Sequence, residues 1–181
     1  MKLMIASDIH GSAYYCRKMI DAFNDEKADK LLLLGDFLYH GPRNDLPKDY
    51  DPKAVAAMLN AVKDRCLAIR GNCDSEVDQM MLEFPIMADY AYLNINGIDI
   101  YATHGHIHNV KDPLPMNKGV LLCGHTHVPV IEKADCFTYI NPGSVAIPKQ
   151  DSCYSYLILE DKTFSWKDLE SGKTYKEYVF E

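Results

Sequence analysis

The chain has 181 residues, 48% hydrophobic and 25% charged, a balance that fits one soluble domain over residues 1–181 with a core needing neither disulfides nor a structural metal. The formal charge of -7 comes without a basic cluster or a long like-charge block, which argues against a surface for large nucleic acids. No apolar run approaches the ~18 residues of a membrane span, and the opening Met1-Lys2-Leu3-Met4-Ile5-Ala6-Ser7 meets Asp8 too soon for a signal-peptide core of ~7–15 apolar residues.

Leu3 to Ser7 therefore reads as a first buried strand, and Met19, Ile20 and Phe23 stand at helical spacing in the stretch after Gly11. Lys30 to Leu34 is a second strand. A polar loop from Phe37 to Asp51 follows, then a helix in which Val55, Met58, Leu59 and Val62 share a face and Pro52 occupies the first turn. Cys66 to Ile69 makes a third strand. This alternation predicts a parallel sheet with crossover helices, whose ligands gather beyond the carboxyl ends of the strands. The pattern then changes: Tyr90 to Ile95 and Ile98 to Thr103 flank Asn96-Gly97, a pair favoured in two-residue hairpins. Short apolar runs at Val120–Cys123, Val128–Ile131, Phe137–Ile140, Tyr154–Leu159 and Tyr175–Phe180 imply a second sheet built from the second half.

Six cysteines at 16, 66, 73, 123, 136 and 153 form no C-x-x-C pair. With no export signal this points to a reducing, cytoplasmic setting, where isolated cysteines act as small buried hydrophobes. Exposed strand edges in the second half offer copies of the chain a way to pair as a homo-oligomer.

Five segments place metal-binding side chains just after a strand: Asp8-Ile9-His10-Gly11, Gly35-Asp36, Gly71-Asn72-Cys73-Asp74, Thr103-His104-Gly105-His106 and Gly124-His125-Thr126-His127. Residues two apart in an extended segment point the same way, so Asp8 with His10, and His125 with His127, can each grip one cation. Taken singly, each has a plainer explanation: Asp8 as a helix cap, Gly35-Asp36 and Asn72 as turn residues, the histidines as loop residues. Their joint occurrence is what argues for a site. The donors are nitrogen and oxygen without thiolate, a set suited to manganese, with zinc, iron and nickel as alternatives, rather than to calcium or a sulfur-bound zinc. Two such cations ~3.5–4 Å apart lower the pKa of a shared water and stabilise both oxygens of an in-line displacement at phosphorus.

In this order the segments resemble the signature of the calcineurin-like metallophosphoesterase superfamily. A closer resemblance, to bacterial YfcE-type phosphodiesterases, rests on Ser7-Asp8-Ile9-His10-Gly11, His40-Gly41-Pro42-Arg43-Asn44, Arg70 to Gln79 and Asn141-Pro142-Gly143-Ser144-Val145. It implies a four-layer α/β/β/α sandwich with two mixed β-sheets. It also assigns Asp8, His10 and His127 to one metal, Asn72, His104 and His125 to the other, and Asp36 as the bridge. Asp36, Cys73 and Asp74 form the expected catalytic set, although the superfamily commonly has histidine where this chain has Cys73. A thiol, with a reference pKa of ~8.5, is a weak donor and a poor substitute for imidazolium. A packed loop residue without a role is the plainer alternative for Cys73. His40, Arg43 and Asn44 are candidates to contact the substrate phosphate, and His106 to hydrogen-bond a metal ligand or the substrate.

The expected activity is hydrolysis of a small phosphodiester by a hydroxide held between two metals. The alternatives are a phosphomonoesterase or nuclease using the same ions, and a non-catalytic scaffold of the same fold.

Overall fold

The computed structural model describes all 181 residues. The chain runs β1 (Leu3–Ala6), α1 (Ala13–Asp25), β2 (Lys30–Leu33), α2 (Pro52–Asn60), β3 (Cys66–Ala68) and α3 (Glu76–Met81). It continues through β4 (Tyr90–Ile95), β5 (Ile98–Thr103), β6 (Val120–Leu122), β7 (Val130–Lys133), β8 (Thr138–Asn141), β9 (Ser155–Glu160), β10 (Thr163–Asp168) and β11 (Thr174–Val179). No helix is long and apolar enough to cross a membrane.

The first sheet has the order β11-β10-β9-β1-β2-β3, and the second β4-β5-β6-β8-β7. Both are mixed. In the first, β1, β2 and β3 are parallel while β9, β10 and β11 are antiparallel; in the second, β5, β6 and β8 are parallel between antiparallel edges. The expectation that the second half forms its own sheet is therefore corrected for its last three strands. Strand β9 returns to pair with β1, Leu3 opposite Leu159 and Ile5 opposite Leu157, and carries β10 and β11 with it.

Alternation of side chains along each strand divides the apolar residues into layers. Met4, Ala6, Leu31, Leu33, Tyr156 and Ile158 face Met19 and Phe23 of α1 and Val55 and Leu59 of α2. Their neighbours Leu3, Ile5, Leu32, Leu157 and Leu159 face the other way and meet Ile98, Ile100, Val120, Leu122 and Ile140 of the second sheet, with Phe164 and Trp166. The outer face of the second sheet, with Leu121, Cys123, Phe137 and Tyr139, is covered by Val110 and Met116 of the irregular segment after β5. All three α-helices precede β4, so irregular chain stands where a helix would complete the fourth layer.

Local chemistry explains the boundaries. Ser12, rather than Asp8, caps α1, its Oγ accepting the Tyr15 N–H at 3.3 Å. Asp51 caps α2 by accepting the Ala54 N–H at 3.0 Å, with Pro52 in the first turn as expected. At the β4–β5 hairpin, Asn96 and Gly97 both take positive φ, 53° and 82°, as a two-residue primed turn requires.

Candidate metal centre

The parallel strands bring their carboxyl ends to one edge of the sandwich, and all five donor segments leave from there: after β1, β2 and β3 of the first sheet and β5 and β6 of the second. Asp8, His10, Asp36, His125 and His127 all have φ between 48° and 66°. Left-handed backbone costs a residue with a side chain about 1–3 kcal/mol, and its clustering marks a functional site. The bends redirect side chains that would otherwise alternate away from the strand ends.

Three imidazoles are locked by their far nitrogens. His10 Nδ1 donates to the Tyr39 carbonyl at 2.9 Å, His104 Nδ1 to Leu34 at 2.5 Å and His127 Nδ1 to Ile147 at 2.6 Å. Each Nε2 therefore turns inward as the atom free for a cation. His10 Nε2 lies 3.6 Å from both Asp8 Oδ1 and Asp36 Oδ2, and His127 Nε2 lies 3.3 Å from Asp8 Oδ1. His104 Nε2 lies 3.5 Å from Asp36 Oδ2 and 3.1 Å from Asn72 Oδ1. The His125 ring sits 5.1 Å from that of His104, and the His125 N–H donates to Asp8 Oδ2 at 3.1 Å. The structure thus gathers all seven sequence-predicted donors, in groups that include Asp8 with His10 and His127, and Asp8 with Asp36 and His104.

The chemistry of this cluster fits cations. His10 and His127 bring their Nε2 atoms to 3.3 Å of each other beside the Asp8 carboxylate, a spacing that a shared cation would satisfy. Asp8 Oδ1 is buried without a hydrogen-bond partner. Atoms that share an ion at ~2.0–2.2 Å from each lie about as far apart as these do. Electrostatics agree. Burial alone would raise the Asp8 carboxyl, yet His10 and His127 hold it well below the usual range, and His104 and His10 keep Asp36 low as well. Burial would lower His104, but Asp36 and Asp8 raise it to about 9. The field that retains a proton there is one that attracts positive charge.

A cleft of about 370 Å³ opens over these groups, walled by His10, Asp36, Asn72, His125 and His127 and by Arg43, Asn44, Cys73 and Lys149. Asp8 and His104, both 0% exposed, lie beneath its floor. Arg43 and Asn44 reach the cleft as expected, although the Asn44 amide donates to the His40 carbonyl at 2.8 Å and braces its own loop. The other two substrate candidates do not line the cleft. His40 packs edge-on against Tyr39 and Tyr50 outside the cleft, and His106 stands edge-on behind His104 with its pKa pushed down to about 4 by burial and by His104.

Asp74, also expected in the catalytic set, does not line the cleft. Its carboxylate accepts the N–H groups of Gly71 at 2.7 Å, Asp36 at 2.8 Å and Phe37 at 2.9 Å, so it ties the loops after β2 and β3 together as a positioning residue. Burial and the Asp36 charge raise it to about 6 against those three donors. Cys73 does face the cleft, and its N–H donates to Asp36 Oδ1 at 2.9 Å. Burial and the Asp36 charge push its thiol far above the ordinary range, so it stays protonated.

The Asn141-Pro142-Gly143-Ser144 segment does more than reverse the chain. Ser144 Oγ donates to the Asp8 carbonyl at 2.9 Å, and the buried Asn141 amide donates to the Gly124 carbonyl at 2.7 Å, fixing two donor loops from behind. Trp166 Nε1 donates in turn to the Asn141 carbonyl at 2.8 Å. Lys149 and Thr126 line the cleft but were not singled out by sequence. Thr126 at least lies inside a metal-binding segment; Lys149 carries no such signal.

A strained, glycine-bordered cluster of nitrogen and oxygen donors at the strand ends of a two-sheet sandwich is a candidate metal centre. Residues 1–163 match the calcineurin-like phosphoesterase superfamily domain, and the chain belongs to that family. It is 45% identical over 166 residues to phosphodiesterase YfcE of Escherichia coli K12, covering 91% of this chain and 90% of that one. It is 30% identical to phosphodiesterase MJ0936 of Methanocaldococcus jannaschii across the full length of both. The solved structure of the E. coli phosphoesterase Yfce superposes with a TM-score of 0.96 at 42% identity, covering 99% of each chain.

Proposed function

We propose that this chain hydrolyses small phosphodiesters, with Asp8, His10, Asp36 and His127 holding one divalent cation and Asp36, Asn72, His104 and His125 a second. The observation that carries the reading is the inward convergence of three locked imidazoles on two buried carboxylates, with Asp36 reaching both His10 and His104. When bound, the cations supply Lewis acidity that activates water and offsets charge on the attacking and departing oxygens. The overall reaction adds the oxygen of water to phosphorus and its proton to the departing alkoxide, leaving a monoester and an alcohol. Arg43 offers a planar pair of donors to the phosphate oxygens from the cleft wall. The likeness to the two phosphodiesterases supports a diester over a monoester. The full complement of donors speaks against a scaffold that has shed its chemistry.

Manganese fits the nitrogen and oxygen donors, as do zinc, iron and nickel. Protein stripped of metal and reloaded with manganese should hydrolyse bis-p-nitrophenyl phosphate and lose that activity on chelation. Turnover that survives thorough chelation would remove the metal from the mechanism.

Cys73 lines the cleft, and if the departing oxygen leaves on its side, its raised thiol pKa makes it a poor acid there. General acid catalysis contributes ~10²–10⁴ in rate, a factor that aryl leaving groups do not need. Cys73→His should accordingly raise kcat on alkyl diesters by about 10- to 100-fold while changing aryl diesters little. A Brønsted plot of rate against leaving-group pKa tests this, and an unchanged slope argues that the acid is supplied elsewhere.

A further inference from the structure

Lys149 lines the catalytic cleft but belongs to none of the donor segments. Its backbone is fixed to the metal centre: its N–H donates to the His127 carbonyl at 3.3 Å, and Ser152 Oγ donates to its carbonyl at 2.7 Å. Two residues before it, the Ile147 carbonyl receives His127 Nδ1. Neither Lys149 nor Arg43 forms an ion pair, although the chain has 26 acidic residues against 19 basic ones. Two unpaired cations therefore face one cleft.

That charge exceeds what a diester phosphate needs. The three buried aspartates Asp8, Asp36 and Asp74 against two dications leave one positive charge, which together with Arg43 one diester anion and one hydroxide already balance. Arg43 can serve the scissile phosphate, so Lys149 is in surplus unless the substrate carries another anion. The cleft that Lys149 lines has room for one, and a hollow of about 430 Å³ adjoins it through Arg43 and Asn44, with Asp45, Lys48, Ile147 and Pro148 but not Lys149 among its walls. Apart from the histidine donors, no unstacked aromatic ring lines either space. No aromatic side chain other than histidine donors lines the cleft, and the Tyr154 ring at the hollow is stacked on Tyr15 at a centroid distance of 4.0 Å. A nucleobase would forgo the ~1–3 kcal/mol that stacking provides.

We propose that Lys149 is a specificity residue for a second negative charge on the substrate, so that the preferred diester has an aliphatic arm bearing an anionic group. This rests on the phosphodiesterase reading above. Three diesters sharing one leaving group test it on manganese-loaded protein: methyl, 3-carboxypropyl and thymidine-5′ p-nitrophenyl phosphates. The carboxypropyl ester should show kcat/KM about tenfold above the methyl ester, with the thymidine ester no better than the methyl. The preference should collapse in Lys149→Met and largely survive in Lys149→Arg.

Calorimetric binding supplies a readout independent of turnover. The same protein should bind 3-phosphonopropionate about tenfold more tightly than ethylphosphonate, and Lys149→Met should erase the difference. Equal treatment of the paired probes by the wild type, a preference that persists in Lys149→Met, or a lead for the thymidine ester would overturn the proposal. Failure to cleave any of the three esters would instead defeat the phosphodiesterase reading, and the calorimetric pair would still decide the role of Lys149.

Discussion

Asp36→Asn should lower kcat/KM on an aryl phosphodiester by about a thousandfold or more and reduce bound metal from about two ions per chain to one or fewer. In the proposed arrangement Asp36 is the donor shared by the two cations, with Oδ2 3.6 Å from His10 Nε2 and 3.5 Å from His104 Nε2. The amide keeps the size of the carboxylate and still offers an oxygen to the Cys73 N–H, now 2.9 Å from Oδ1. What it loses is the negative charge between two imidazoles. The backbone at this position is held by Asp74, so the melting temperature should change little. Elemental analysis, steady-state kinetics and a melting curve on one preparation separate these outcomes. A variant with full metal and full activity would mean that the two cation groups do not share this residue.

Gly71→Ala should destabilise the fold by about 3 kcal/mol and reduce the activity of the folded fraction by about a hundredfold or more. A methyl group at Gly71 would lie 2.0 Å from Asp36 Oδ1 and 2.4 Å from the Asp36 backbone nitrogen. Neither loop can retreat easily, because the Asp74 carboxylate binds the N–H groups of Gly71, Asp36 and Phe37 together. For a chain of this length, about 3 kcal/mol corresponds to a fall of roughly 6–12 °C in melting temperature. Gly97→Ala is the control: no atom lies within 4 Å of its added methyl, and only the strain of a φ of +82° remains. That substitution should cost about 1–2 kcal/mol and leave kcat/KM unchanged. Similar losses of activity in both variants would show that general instability, rather than displacement of Asp36, explains the first.

The candidate donor cluster was legible because each member is a side chain able to bind metal next to a strand end and most have glycine beside them. Parallel strands then bring those ends together without further information. Residues that act through the backbone left no such mark. Asp74 reads as one of the catalytic set beside Cys73, and only folding shows its oxygens taken up by three amides. Asn141 and Ser144 look like turn formers until Gly124 and Asp8 are seen behind them. In the fold, the Asn96-Gly97 hairpin was readable because its chemistry is local. The return of β9 to β1 was not, since the apolar run Tyr154–Leu159 suits either sheet and the choice depends on partners over a hundred residues away. Strand β10 was missed for a related reason: Thr163–Asp168 has only Phe164 and Trp166 to signal its alternation. The helix Glu76–Met81 escaped too, because it buries none of its residues and is set largely by Asp78 reaching back to the Ser75 N–H at 2.8 Å.

The positive φ angles at Asp8, His10, Asp36, His125 and His127 set reactivity against durability. Glycine at any of these positions would relax the main chain while deleting a donor, so selection for robustness alone would dismantle the centre and spare the sandwich around it. An ancestor kept only for its shape would thus be free to become sturdier as it became inert.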